Sequence, residues 1–313
     1  MSRRGHILSA CAISVWLLTV VTWLAHHAPV HGGSCTPKMR DVIDMTGQRT
    51  GVPLDPRHIL SLCTSATDTM VRMGAADRLV AIDAYGRAIA GTEQVEVIGK
   101  GSAVSQEVVL SRGIDLAFLW WYQDDAAAML ERLSVPVVRI RSARAAETPA
   151  MIRLVGECLG CMEHAEREAS RVEGFLESAV AGAPEGRAER PRVYFEMYGA
   201  YKTVGRETYS DDLIRLAGGD NVAAATTGSV LLSAERLVEC DPDVVLLIEG
   251  FGDAATVAAR PGLAGLRAIR QGRVVSLERR WLVAGPALPE AAAHLRALLN
   301  ETASDQRSCH GLP

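Results

Sequence analysis

Two stretches decide the fold: Ser105-Gln-Glu107-Val-Val-Leu-Ser-Arg-Gly-Ile-Asp115-Leu-Ala-Phe-Leu-Trp120, and later Ser233-Ala-Glu235-Arg-Leu-Val-Glu-Cys-Asp241-Pro-Asp243-Val-Val-Leu-Leu-Ile248. Each opens on a serine suited to cap a helix, continues through a short helix and ends in an uninterrupted apolar run that reads as a buried strand. A second echo accompanies the first. Asp68-Thr-Met-Val-Arg72-Met-Gly74 through Asp77 matches Asp211-Asp-Leu-Ile-Arg215-Leu-Ala through Asp220. Repetition of strand and helix in the same order predicts two similar α/β lobes, with one exposed glutamate, Glu107 or Glu235, at the same place on each.

Working outward, strands and helices alternate throughout. His58–Leu62, Leu79–Asp83, Val95–Ile98, Asp115–Trp120 and Val135–Ile140 read as strands of the first lobe, residues 36–147. Val193–Met197, Val244–Ile248 and Arg273–Leu277 read as strands of the second, residues 190–302, with Pro289–Leu299 as its closing helix and 303–313 as a tail. Between them, Thr148 and Pro149 form a helix start, and Ile152, Val155, Leu159, Met162, Ala165, Ala169, Val172 and Leu176 follow at helical spacing. Gly182 closes the pattern. This predicts a single bridging helix over 148–182, about 50 Å long at 1.5 Å per residue. The fold class expected is therefore α/β, two Rossmann-like lobes joined by a single long bridging α-helix.

Length and composition bound the function. A chain of 313 residues, 48% hydrophobic and 22% charged, suits two globular domains. A formal charge of −4 argues against the basic surface that nucleic acid binding needs, so no nucleic acid partner is expected. Arg3 and Arg4 precede an apolar, uncharged run from Ile7 to Ala25, so residues 1–34 read as an export signal, cleaved after Gly32, or as a retained membrane anchor. The body is then periplasmic or otherwise extracytoplasmic. Seven cysteines, one within that run, give no disulfide framework, and Cys158-Leu-Gly-Cys161 lies inside a helical pattern with no second ligand pair at metal spacing. There is no phosphate loop, nucleophile elbow or zinc helix, so neither an enzyme nor a resident metal or cofactor is expected.

Ligands of open α/β sheets bind beyond the carboxyl ends of the strands. Tyr85, Trp120, Trp121, Tyr122, Tyr198, Tyr201 and Trp281 all fall there, in a chain only 5% aromatic. Lys202, Arg206 and Arg280 accompany them, with Arg87 and Arg279 as further cations nearby. Large rings with a few cations suit a bulky, partly apolar, anionic ligand.

These residues also carry a resemblance. Val42-Ile-Asp-Met-Thr-Gly47, Val52-Pro53, Pro56-Arg-His-Ile-Leu-Ser-Leu62, Ser65-Ala-Thr-Asp68 and Leu79-Val-Ala-Ile82 look like the opening of the periplasmic (class III) binding proteins for iron-siderophores and cobalamin. Thr203-Val-Gly205-Arg-Glu207 and Asp212-Leu-Ile-Arg-Leu-Ala-Gly-Gly-Asp-Asn221 resemble their second-lobe signature. The resemblance covers about residues 40–300. It implies a monomeric substrate-binding protein that carries a metal chelate to the permease dimer of an ABC importer in the membrane. Glu107 and Glu235 match the glutamates that dock on permease arginines, and the aromatic positions above match the ligand loops. Two departures lie beside the expected cleft: Cys63-Thr64 replaces a proline, and Gly86-Arg-Ala follows Tyr85 where a proline-containing stretch is usual. They leave haem or a molybdate-type oxyanion open as ligands. A membrane-anchored sensor, or a redox enzyme built on Cys158 and Cys161, are the readings from other classes.

Overall fold

Ile59–Ser61 (β3), Leu79–Ile82 (β4), Glu96–Val97 (β5), Leu116–Trp120 (β6) and Val137–Ile140 (β7) form the first sheet, parallel throughout and ordered β5-β4-β3-β6-β7. Arg192–Glu196 (β8), Asp220–Asn221 (β10), Val244–Ile248 (β12) and Val274–Leu277 (β13) form the second, also parallel and ordered β10-β8-β12-β13. Both orders reverse direction beside the first strand of the sheet, β3 or β8, which is where a doubly wound sheet opens a crevice. This computed structural model describes residues 38–99, 104–141, 144–181 and 190–309, with side chains to residue 300. The expected export segment lies outside the described residues.

The repeated motifs explain the repeated architecture. β6 and β12 are buried except at the Trp120 end, as strands covered on both faces must be. Ser105 caps Gln106–Ser111 (α2) by accepting from the Val108 N–H at 3.2 Å, and Ser233 caps Ala234–Cys240 (α7) by accepting from Arg236 N–H at 3.1 Å. The motif aspartates clip neighbouring strands together. Asp115 accepts from the N–H groups of Arg57 and His58 before β3, and Asp243 accepts from Arg192 N–H at the start of β8.

The single bridging helix is corrected to two. Thr148–Leu159 (α4) ends at Gly160, which is left-handed with φ of 68°, and the Cys161 N–H turns back to the Gly156 carbonyl. Met162–Ala181 (α5) then packs back on α4. Gly156 makes this approach possible: a Cβ there would lie 2.1 Å from the Ala165 Cβ. Arg153 on α4 staples the pair through Glu166 and Glu173 on α5, at 2.7 and 2.6 Å. The apolar period ran unbroken through the turn because both helices bury a face in one core. Cys158 and Cys161 therefore sit at a helix junction. They are free thiols, as are Cys63 and Cys240, and burial pushes the Cys158 thiol up to about 12.

A span of about 30 Å is left to the 20 residues of α5. It reaches Leu288–Cys309 (α10), where Arg171 meets Glu290 and donates to the Pro286 carbonyl. The closing helix thus runs past Leu299 and into the segment expected as a tail.

Both Asp-x3-Arg echoes serve the junction between the lobes. On Thr64–Arg72 (α1), Asp68 pairs with Arg72 at 3.6 Å and accepts from the Ala287 N–H at the start of α10. On Tyr209–Leu216 (α6), Asp211 pairs with Arg215 at the same 3.6 Å, while its neighbour Asp212 accepts from Nε and Nη2 of Arg144 and from the Ala145 N–H before α4. One continuous apolar core, from Val42 and Ile59 through Val155 and Ala165 to Val193 and Leu288, runs under both lobes. Two antiparallel ribbons, Met39–Ile43 (β1) with Arg49–Pro53 (β2) and Lys202–Val204 (β9) with Ser229–Leu231 (β11), complete the described strands.

Candidate functional site

At the first sheet's switch point, the chain leaving β6 turns sharply. The Trp120 N–H donates to the buried side-chain oxygen of Gln123, and Trp121 N–H continues onto the Ile140 carbonyl. The turn sets Trp120, Trp121 and Tyr122 edge to face, with ring centres 6.1 and 5.0 Å apart. Trp121 and Tyr122 stay largely exposed, an unusual expense of apolar surface unless something covers it.

Beside them, Asp83 follows β4 and accepts from the Gly86 N–H at 2.9 Å. Burial pushes its carboxyl up to about 6, against the N–H bonds of Gly86 and Tyr85 and the attraction of Arg279. Tyr122 is pushed up to about 12, first by lost solvation and then by Cys63, Tyr198, Asp83 and Tyr85 around it.

The second lobe supplies the facing wall. After β8, Tyr198 and Tyr201 both adopt left-handed backbone with φ of 62°, a conformation that costs a residue with a Cβ about 1–3 kcal/mol. Tyr198 meets Phe251, from the loop after β12, edge to face at 5.7 Å. Arg279, one residue beyond Glu278 at the end of β13, lies over three rings. Its guanidinium carbon is 4.5 Å from the Tyr85 ring centre, 5.3 Å from Tyr198 and 5.6 Å from Phe251. Tyr85 belongs to the first lobe and the other two to the second, so this arginine joins the walls.

Beneath the tyrosine turn sits a buried carboxylate. Glu196 accepts from Tyr194 hydroxyl, from the Tyr201 N–H and from both terminal nitrogens of Arg260, at 2.6–2.9 Å. Burial alone would raise its pKa, but these donors hold it below the usual carboxylate range. The Arg260 guanidinium also lies 5.2 Å from the Tyr201 ring centre.

Of the expected ligand residues, Tyr85, Trp120, Trp121, Tyr122 and Tyr198 thus gather at the carboxyl ends of the strands, whereas the Tyr201 ring packs on the second lobe's core against Arg260. Lys202 is exposed at the start of β9, and Arg206 is exposed with its side chain on Thr227. Arg280 bonds Glu278 and lies over Trp281, whose ring stacks on His294 of α10 at 4.7 Å. These contacts tie Trp281 to the closing helix. Phe251 is absent from the residues expected from sequence, which put Arg280 in the ligand set and Arg279 only nearby; it is Arg279 that lies among the rings, while Arg280 pairs with Glu278. The Gly250-Phe-Gly252 turn ends a central strand, and that position was the signal for Phe251. Among the described residues no cluster of metal-ligating side chains occurs, and no helix is long and apolar enough to cross a membrane.

Glu107 and Glu235 project from the first turns of α2 and α7, both exposed. The backbone N–H of Glu235 and the Ser233 hydroxyl hold the Glu235 carboxyl below its ordinary range.

Comparison with known proteins gives one family. A family model described as Periplasmic binding protein matches residues 59–280. A cobalamin-binding protein from Halobacterium salinarum (strain ATCC 29341 / DSM 671 / R1) is 29% identical over 219 residues, 66% of this chain; the chain spans 58% of that relative's length. An uncharacterized ABC transporter substrate-binding lipoprotein of Bacillus subtilis (strain 168), YvrC, is 24% identical over 264 residues, covering 80% of this chain and 82% of that one. Among solved structures, the apo form of the periplasmic heme-binding protein RhuT from Roseiflexus sp. RS-1 superposes with a TM-score of 0.71 at 26% identity, over 79% of this chain and 99% of that one.

Proposed function

Because the chain belongs to the periplasmic binding protein family, we propose that it takes up a metal chelate of the corrinoid type between its lobes and delivers it to the permease of an ABC importer. It does so as a binder, without catalysis. The observation that carries the reading is the ring cluster around Arg279, drawn from both lobes at their strand ends. A corrin ring is broad, flat and edged with amide arms. Exposed tryptophan and tyrosine faces give it contact area at little entropic cost, and the cation meets a polar or anionic arm. The cobalamin-binding relative from Halobacterium supports this choice over a ferric siderophore. Haem is the second reading, supported by the heme-binding relative from Roseiflexus and by Tyr85, whose ring lies against a cation where an oxygen ligand to iron would be stabilised. Glu107 and Glu235 are proposed as the permease contacts, one on each lobe.

The test is tryptophan fluorescence of residues 36–313, titrated with cyanocobalamin, haem and a ferric siderophore. Trp120 and Trp121 stand in the proposed cleft and report on its filling. Saturable quenching by cyanocobalamin at micromolar or lower concentration is expected. Saturation by haem alone transfers the assignment to the second reading, and silence toward all three overturns a chelate ligand.

A further inference from the structure

We infer that Glu196 and Arg260 form a buried clamp that sets the Tyr198–Tyr201 turn for ligand, so that Arg260 is a positioning residue of the cleft. The inference rests on the proposed ligand site. Its own footing is geometric. Tyr198 and Tyr201 hold left-handed backbone angles that tyrosine adopts only when its surroundings impose them. The surroundings doing so are identifiable. One Glu196 oxygen receives the Tyr201 N–H at 2.9 Å, which fixes the far end of the turn. The same oxygen receives Tyr194 hydroxyl at 2.9 Å and one Arg260 nitrogen at 2.6 Å, and the other oxygen receives the second Arg260 nitrogen at 2.8 Å. Four donor bonds thus converge on Glu196, three on one oxygen and one on the other, and its side chain is 3% exposed.

The partner comes from elsewhere in the chain for a reason. Arg260 follows Ala254–Ala258 (α8), the helix entered from the loop that bears Phe251. Pairing it with Glu196 therefore locks the two segments that present Tyr198 and Phe251 to each other, and through them the seat of Arg279. A forked, two-bond pair fixes orientation as well as distance, which a lysine cannot do. The clamp lies beneath the aromatic surface, and its effect on ligand is exerted through the two rings it orients.

The experiment uses Arg260→Lys and Tyr194→Phe, with cyanocobalamin and haem as probes. Binding by the wild type is measured first; if it binds neither probe, the cleft reading falls and the clamp falls with it. Given binding, Arg260→Lys is expected to weaken the dissociation constant about tenfold and Tyr194→Phe by about threefold, because a turn that is no longer pre-set must be ordered on binding. At saturation, the visible absorption band of the bound chelate should also be displaced from its wild-type position in Arg260→Lys. Global stability alone does not move the spectrum of a saturated complex. A folded Arg260→Lys with wild-type affinity and spectrum overturns the clamp. If Arg260→Lys does not fold, Tyr194→Phe decides in the same way, since it removes one bond and keeps the ring.

Discussion

The two walls of the proposed cleft leave different strands, β6 in the first lobe and β8 in the second, and are held in opposite ways. In the first wall, a neutral amide does the holding: Gln123, 4% exposed, accepts the Trp120 N–H. In the second, a charged carboxylate does it: Glu196, 3% exposed, accepts the Tyr201 N–H and needs Arg260 to neutralise it. The geometry of the two turns explains the difference. Trp120 is still in its strand, and its extended backbone needs only one acceptor. Tyr198 and Tyr201 leave the strand through left-handed angles, so the second wall needs a stronger and many-armed anchor. The same task of fixing a strand-end turn is thus met once with a neutral amide and once with a buried ion pair.

The largest effect should come from breaking that asymmetry on the charged side. Arg260→Ala leaves Glu196 buried without its cation, which is expected to destabilise the fold by about 3–5 kcal/mol, the scale for an orphaned buried charge. Gln123→Ala should cost only about 1–2 kcal/mol, the scale for one lost acceptor. Urea unfolding of both variants measures the contrast. Equal losses would mean that the two walls are held alike.

Titration sharpens the comparison further. Asp83 stands in the first wall with its carboxyl pushed up to about 6, while Glu196 in the second is held low. The signs differ. The stability that Asp83 contributes is full below its unfolded value near 4 and is lost as pH rises through about 6, because the folded state binds its proton more tightly. Glu196 contributes above its unfolded value, near 4.3, and loses that contribution as pH falls through its lower folded value. Asp83→Asn keeps an acceptor for the Gly86 N–H and removes the buried charge. Relative to wild type it should therefore be more stable at pH 7 than at pH 4.5, as read from unfolding free energies at the two pH values. A pH-independent difference would show that Asp83 does not titrate in this window.

How much of this could be read from the chain follows the range of the interactions. The lobes were legible because Ser105 and Ser233, the buried runs at β6 and β12, and the Asp68 and Asp211 echoes act over a few residues. Most ring positions were legible because strand ends are. The break at Gly160 was not, since Ile152, Val155, Leu159, Met162 and Ala165 keep one apolar period through a turn that buries both helices in one core. Only the Gly156 and Gly160 pair hinted at it, through close approach and a left-handed end. The clamp was illegible for a different reason: Glu196 and Arg260 lie 64 positions apart, and nothing local links them. Nor does sequence show that Arg279 rather than the expected Arg280 meets the rings, since the two diverge in the short 3-10 turn at Arg279–Leu282, toward the rings and toward Glu278.

The smallest effect on the protein itself is expected on the far side of the same comparison, at the two serine-capped helices. Glu107 and Glu235 share a position in their motifs, are both exposed and support no buried group. Their helices are capped by Ser105 and Ser233, so removing the carboxylates leaves the caps in place. Glu107→Ala combined with Glu235→Ala should therefore leave the unfolding midpoint and chelate affinity unmoved. If the pair meets cationic residues on a permease, the double variant should nonetheless fail to support uptake in cells or in vesicles carrying the importer, and each single variant should fail in part, because each lobe contributes one contact. Wild-type uptake by the double variant would remove the docking role from both lobes while leaving the cleft intact. Loss in one single variant only would show that the lobes, alike in fold and unlike in their ligand walls, are also unlike in what they present to the membrane.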